Sequence, residues 1–173
     1  MDALHGGLVI DTLYIGGIMA IKSLSDIAQE GPVTVISLVQ MSQACAFCES
    51  LLRQVHKQVP SLEIQHVIWN IKDKVDSDFL TDNLSNMLET IDANLSQGHV
   101  CLVHCAQGIS RSVSVCASYL IAKRGMTFYE AMTTIRRGRP IANPNLGFVA
   151  ALRALEQCKG DVIQARERLQ SKK

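Results

Sequence analysis

The sequence predicts a single α/β domain: a central, mostly parallel sheet with helices on both faces. Three observations carry this. Apolar runs of strand length alternate with segments of helical periodicity along the whole chain. The runs Val33-Thr34-Val35-Ile36-Ser37-Leu38 and Val100-Cys101-Leu102-Val103 are continuous rather than alternating, as in strands buried on both faces. No repeat, proline-rich linker or long charge block divides the 173 residues. Residues 1–173 therefore read as one domain, with 159–173 as a C-terminal helical tail.

Taken in order, Leu8-Val9-Ile10 and Leu13-Tyr14-Ile15 flank Asp11-Thr12 as a hairpin or a pair of edge strands, and Gly16-Gly17 ends the second. Ile18 to Gln29 has helical spacing, stopped by Gly31-Pro32, and Val33 to Leu38 is the first buried strand. Gln43 to Lys57 is more loosely helical, and Ile64 to Ile71 is another strand. Phe79, Leu80, Leu84, Met87, Leu88, Ile91 and Leu95 then recur at three- and four-residue steps, an amphipathic helix closed by Gln97-Gly98. After the strand at Val100, a helix from Ser110 to Arg124 ends on Lys123 and Arg124 with Gly125 just beyond. Thr127-Phe128-Tyr129-Glu130 is a capping box that opens the next. Asn143 to Cys158 and Asp161 to Leu169 supply two more.

Composition narrows the function. Hydrophobic residues make up 47%, and a chain this long buries roughly 70% of its unfolded surface, so folding requires neither metal nor disulfide. Lys plus Arg number 17 against 16 Asp plus Glu, a net charge of +1, so no global basic excess exists to hold nucleic acid or an anionic membrane. The longest apolar stretches span about ten residues, short of the ~20 that cross a bilayer. Met1-Asp2-Ala3-Leu4-His5 has no basic signal-peptide start and no glycine for myristoylation. The expectation is a cytoplasmic protein, with the nucleus as a second compartment. In that setting the six cysteines are thiols rather than a disulfide framework. Cys45 and Cys48 form a lone CxxC with no second pair at zinc spacing, read as small apolar positions on a helix.

In parallel sheets, ligands bind beyond the carboxyl ends of the strands. The segment there is His104-Cys105-Ala106-Gln107-Gly108-Ile109-Ser110-Arg111-Ser112, running from a buried strand into a helix. Its core is Cys-x5-Arg. Five intervening residues suffice to curl backbone N–H groups around one tetrahedral oxyanion. Gly108 can supply a positive φ, and Ala106 and Ser110 are small enough to crowd the anion. The helix N-terminus adds its positive end, and the Arg111 fork can bind two phosphate oxygens at once. The same field favours Cys105 as thiolate, because such surroundings lower a cysteine pKa from about 8.5 toward about 3.5–7.5. Walker A and GxGxxG patterns are absent.

His104-Cys105-x-x-Gly108-x-Ser110-Arg111-Ser112 resembles the signature of the cysteine-dependent protein phosphatases, specifically the dual-specificity branch. Matching features run along nearly the whole chain: Leu13-Tyr14-Ile15-Gly16, Ala117-Ser118-Tyr119-Leu120, Arg139-Pro140 and Asn143-Pro144-Asn145-Leu146-Gly147-Phe148. Only about Gln40 to Ser61 and the tail after Cys158 lack a counterpart. The resemblance implies a small, atypical member with the fold of that family, requiring neither metal nor cofactor.

It also implies a general acid, placed just after the strand ending Trp69-Asn70-Ile71-Lys72. Of Asp73, Asp76, Asp78 and Asp82, this selects Asp73, with Asp76 as the alternative. Ser77 and Asp78 suit the N-cap region of the next helix, while Asp76 and Asp82 read as solvated. An acid that precedes the nucleophile in the chain argues against the low-molecular-weight phosphatases. By the same resemblance Ser112 supplies a hydroxyl to the cysteine sulfur, and His104 orients the loop and tunes the thiolate without transferring protons. The phosphate cradle is Ala106, Gln107, Gly108, Ile109, Ser110 and Arg111. Asn145 either hydrogen-bonds this loop or caps a helix. Arg136, Arg137 and Arg139 read as a solvated helix face, with a positive rim for acidic substrates as the other reading. His5, His56, His66 and His99 match nothing.

The implied reaction is hydrolysis of phosphotyrosine and phosphoserine or phosphothreonine in proteins through a phosphocysteine on Cys105. Phosphorylated proteins are the expected partners. Two rivals are a non-catalytic phosphoprotein-binding module and an enzyme for a non-protein phosphoester such as a phosphoinositide, phosphoglycan or RNA 5′ end. The intact Cys105, Arg111 and Asp73 oppose the first. Lysines inside the loop would favour a lipid, and Ala106, Gln107 and Ile109 supply none.

Overall fold

The β-branched and apolar runs form the strands β1 (Gly6–Ile10), β2 (Leu13–Gly16), β3 (Val33–Leu38), β4 (Ile64–Trp69) and β5 (Val100–Cys105). In the computed structural model, which describes residues 6–28, 31–39, 43–76 and 78–171, they make one sheet in the order β1-β2-β5-β3-β4. Only the β1–β2 hairpin is antiparallel; β5 runs parallel to both β2 and β3, and β4 to β3. The mostly parallel sheet expected from the sequence is the one observed.

The helices are α1 (Leu24–Ile27), α2 (Gln43–Gln58), α3 (Asp82–Ser96), α4 (Arg111–Arg124), α5 (Phe128–Gly138), α6 (Leu146–Gln157) and α7 (Val162–Gln170). They cover both faces. Val33, Val35 and Leu102 point toward Leu24 of α1 and Cys48, Leu51 and Val55 of α2. Ile36, Leu38 and Val103 point the other way, toward Leu84 and Ile91 of α3, Tyr119 of α4 and Leu155 of α6. Every residue of β3 is buried, which is why its sequence shows no alternation. Helix α4 is buried from Ser112 through Ile121, because the sheet and its neighbouring helices enclose it.

Local grammar works where it was legible. Thr127 and Glu130 close the capping box of α5, Gly125 ends α4 at φ 66°, and Asn145 caps α6 through Phe148 N–H at 3.0 Å. Tertiary contacts displace other boundaries. The helix expected over 18–29 is a 3-10 segment, Ile18–Ser23, followed by the single turn of α1; Gln29 lies outside the described residues. Its first amide, Ile18 N–H, is drawn off to donate to Ala106 O at 3.2 Å. Strand β4 stops at Trp69, where Ile71 N–H turns back onto Trp69 O. Helix α3 begins at Asp82 with Thr81 as its cap, so Asp78 lies outside the cap region; Ser77 lies outside the described residues. Phe79 instead anchors the preceding loop, its ring 4.8 Å from that of Phe148. Asp82 is solvated as expected, 83% exposed, while also pairing with Arg166 of α7 at 2.7 Å, a contact no local pattern could announce. No helix among the described residues is long and apolar enough to cross a membrane.

Candidate active site

Strand β5 lies in the middle of the sheet and ends at Cys105, paired with Leu38 at the carboxyl end of β3. Helix α4 starts six residues later at Arg111, leaving Ala106–Ser110 to turn above the sheet. The carbonyls of that turn have fixed partners outside it. Ala106 O accepts from Ile18 N–H at 3.2 Å and Ile109 O from Asn143 N–H at 2.8 Å. Gln107 O and Gly108 O accept from the Arg139 guanidinium at 2.8 and 3.2 Å. With the oxygens held outward, the amides are left to the interior of the loop, an anion-binding concavity. Gly108 N–H is 3.2 Å from Cys105 Sγ. That glycine is required twice: φ is +69°, and a Cβ there would lie 2.4 Å from the backbone of Gly16.

Cys105 is 2% exposed. Burial by itself pushes its thiol up, but the Ser112 hydroxyl and amide, the Arg111 charge and the Gly108 amide outweigh this and bring it below the ordinary cysteine value. Cys101 and Cys116, buried without such donors, go the other way, Cys101 up to about 12. The Ser112 hydroxyl sits 3.4 Å from Cys105 Sγ and 3.4 Å from Gly16 O. It can donate to the carbonyl while the sulfur keeps its proton, or to the sulfur once that proton is gone.

Arg111 is fixed by Nη1–H donation to Leu38 O at 2.9 Å. Its Nε lies 3.6 Å from Asp73 Oδ2. Asp73 reaches the loop from the turn after β4, and its other oxygen, Oδ1, accepts from Ser110 Oγ–H at 2.7 Å and from Asn145 Nδ2–H at 2.8 Å. Asn145 thus both caps α6 and holds Asp73, so the two readings of it coexist. Its backbone N–H donates to Ser110 Oγ at 3.2 Å. Asp76 and Asp78 are exposed and line a separate cavity with Leu146 and Leu169.

Arg139 corrects the sequence reading. It is neither a solvated helix face nor a rim but 2% exposed, its guanidinium spent on loop carbonyls. Arg136 and Arg137 are exposed, and Arg136 donates to Ala142 O at 3.1 Å. Ser37, which the sequence did not single out, and His66, which matched nothing in the family, also belong to the surroundings of the site. A serine inside a strand buried on both faces was a usable signal, since a buried hydroxyl needs a partner. That partner is His104, whose Nε2 is 2.5 Å from Ser37 Oγ. Cys48, on the buried face of α2, lies against the same serine, and among the described residues no group of three or more His, Cys, Asp or Glu could hold a metal ion.

Burial pushes His104 down to about 4, so the folded protein holds it neutral at pH 7. The unfolded chain takes up a proton near pH 6.5 that the folded chain refuses until about pH 4. The stabilisation is therefore complete above the unfolded value and lost as pH falls through the folded one. Thermal unfolding should show a midpoint falling across that window. The variant His104→Asn, which keeps an N–H but cannot protonate, should flatten the slope; an unchanged slope would remove His104 as its source.

A family model described as the dual specificity phosphatase catalytic domain matches residues 20–158. Dual specificity protein phosphatase 1 of Arabidopsis thaliana is 32% identical over 150 residues, 87% of this chain and 68% of the relative. Dual specificity phosphatase 28 of Mus musculus is 41% identical over 80 residues, 46% of this chain and 48% of the relative. The match spans about half the length of this and several other curated relatives. Among solved structures, human DUSP28 shares the fold with TM-score 0.65 at 24% identity, covering 95% of each chain. A mouse protein described as a dual specificity phosphatase, complexed with zinc tungstate, gives TM-score 0.69 at 26% identity over 90% of this chain and 88% of that one.

Proposed function

From the premise that this chain belongs to the dual specificity phosphatase family, we propose that it removes phosphate from phosphotyrosine and from phosphoserine or phosphothreonine in proteins. The observation that carries the reading is the Cys105 sulfur, held below its ordinary pKa at the floor of a loop whose carbonyls all point away.

In the first step the Cys105 thiolate attacks phosphorus while the loop amides of 106–111 and the Arg111 fork hold the equatorial oxygens. The bond from phosphorus to the ester oxygen breaks, and that oxygen takes its proton from Asp73. Asn145 and Ser110, both donating to Oδ1, leave Oδ2 as the atom that carries the proton. In the second step water attacks the phosphocysteine and gives its proton to Asp73. The sulfur–phosphorus bond breaks, and the Ser112 hydroxyl donates to the sulfur as its charge returns. Arg139 and His104 touch no reacting atom in this scheme; they hold the loop that does.

A protein substrate suits the loop, whose exposed residues Ala106 and Gln107 carry no charge with which to hold a second phosphate. The adjoining cavity of about 290 Å³ has apolar walls at Met19, Ile109 and Ile141. The six cysteines are thiols rather than disulfides, and a thiolate nucleophile stays active where thiols are kept reduced, in the cytoplasm or nucleus; there the reaction belongs to phosphorylation signalling. Phosphate release from phosphotyrosine and phosphothreonine peptides, compared with phosphoinositides on the same enzyme, tests the reading. Turnover of both peptides above the lipids is expected; a preference for the lipids would replace the substrate class.

A further inference from the structure

Three side chains on the α2 face of the sheet form a ladder across three strands: His66 of β4, Ser37 of β3 and His104 of β5. His66 Nε2 lies 2.7 Å from Ser37 Oγ, Ser37 Oγ lies 2.5 Å from His104 Nε2, and His104 Nδ1 lies 3.3 Å from Cys105 O. Ser37 and His104 are fully buried, while His66 is half-buried on the edge strand.

The direction of each hydrogen bond follows from what each atom can do. A carbonyl only accepts, so His104 Nδ1 carries a hydrogen and donates to Cys105 O. His104 is neutral, so its Nε2 is an acceptor, and the single Ser37 proton must go there. Ser37 Oγ therefore accepts from His66 Nε2–H. Cys48 of α2 lies against the same serine, its thiol raised by burial. The three contacts together fix which nitrogen of each histidine carries its hydrogen.

We propose that His66 and Ser37 are positioning residues for the loop: through His104 they hold the Cys105 carbonyl turned away from the phosphate site. If the Cys105 peptide plane were free to rotate, the start of the loop would loosen against the sulfur, together with the Gly108 and Ser112 donors. The assignment rests on Cys105 as nucleophile and adds two residues outside the loop that set its state. The His66 side chain feels the charge of Glu49 on α2 and lines one pocket with Arg53 and His56 of α2 and Glu63 just before β4. Charge around it is mixed, and its link to the loop is the one through Ser37.

The test reads the sulfur directly. Alkylation of Cys105 by iodoacetamide, followed by peptide mass across a pH series, gives the thiol midpoint without any substrate. Ser37→Ala and His66→Leu should each raise that midpoint by about half to one pH unit, the scale of one lost hydrogen bond. His66→Gln, which keeps an N–H donor, should stay close to the parent, and a role in packing alone would not produce that rescue. Thermal unfolding of the same variants separates lost stability from lost positioning. If Ser37→Ala does not fold, the half-buried His66 pair decides alone. An unmoved midpoint in His66→Leu overturns the proposal, as does an equal shift in His66→Gln. A parent midpoint no lower than that of an ordinary cysteine would instead overturn the nucleophile assignment, so the two failures are distinguishable.

Discussion

Cys105→Ser should yield a folded protein that still binds phosphate esters and releases no measurable phosphate. The loop amides and Arg111 make the anion site, and they do not depend on the sulfur: their positions come from Ile18, Asn143, Arg139 and Leu38. The nucleophile does depend on it. A serine hydroxyl at the same place is not ionised near neutrality. The Gly108 amide can only donate toward a new Oγ, and the Ser112 hydroxyl is far too weak a base to take its proton. Loss of a covalent nucleophile costs up to about 10⁶ in kcat. Phosphate release measured beside capture of a phosphotyrosine protein by the variant checks both halves. Hydrolysis at the parental rate would show that Cys105 is not the nucleophile.

The second large effect belongs to Asp73. A general acid contributes about 10²–10⁴-fold, and most where the leaving oxygen is a poor one. Asp73→Asn keeps an Oδ1 that can accept from Ser110 and Asn145. It loses the ion pair with Arg111 and the dissociable proton. Phosphothreonine peptides release an alkoxide, so their rate should fall by the full factor. Nitrophenyl phosphate releases a far more stable anion and should suffer much less. Asp76→Asn and Asp78→Asn should leave the leaving-group dependence nearly unchanged, since those carboxylates line a different cavity. A selective loss in Asp76→Asn would move the proton donor there and leave Cys105 and Arg111 in place.

What was legible in the sequence was local. Strand β3, buried on both faces, showed itself as an unbroken β-branched run. The capping box at Thr127, the stop at Gly125 and the cap at Asn145 lie within one turn of the groups they bond. The loop was legible for the same reason: Cys105, Gly108, Arg111 and Ser112 lie within eight residues, and their spacing alone states the geometry of an anion cradle. Asp73 was reached by resemblance, not by any property of its own.

What the sequence could not state were contacts between segments far apart in the chain, because these depend on the order of strands. Arg139 sits at the end of a helix in an arginine-rich stretch and reads as surface; folding brings it under Gln107 and Gly108, where two buried carbonyls need donors. Arg111 finds Leu38 O because β3 and β5 are neighbours in register. His66, Ser37 and His104 are unremarkable singly and 29 and 67 residues apart. They meet because β4, β3 and β5 lie side by side and each residue points to the same face. The chemistry of the loop was determined by sequence alone, since backbone curvature and side-chain type within one short segment suffice for it. The support that holds the loop in shape was decided by tertiary structure, since buried polar groups take whichever partners the strand order brings within reach.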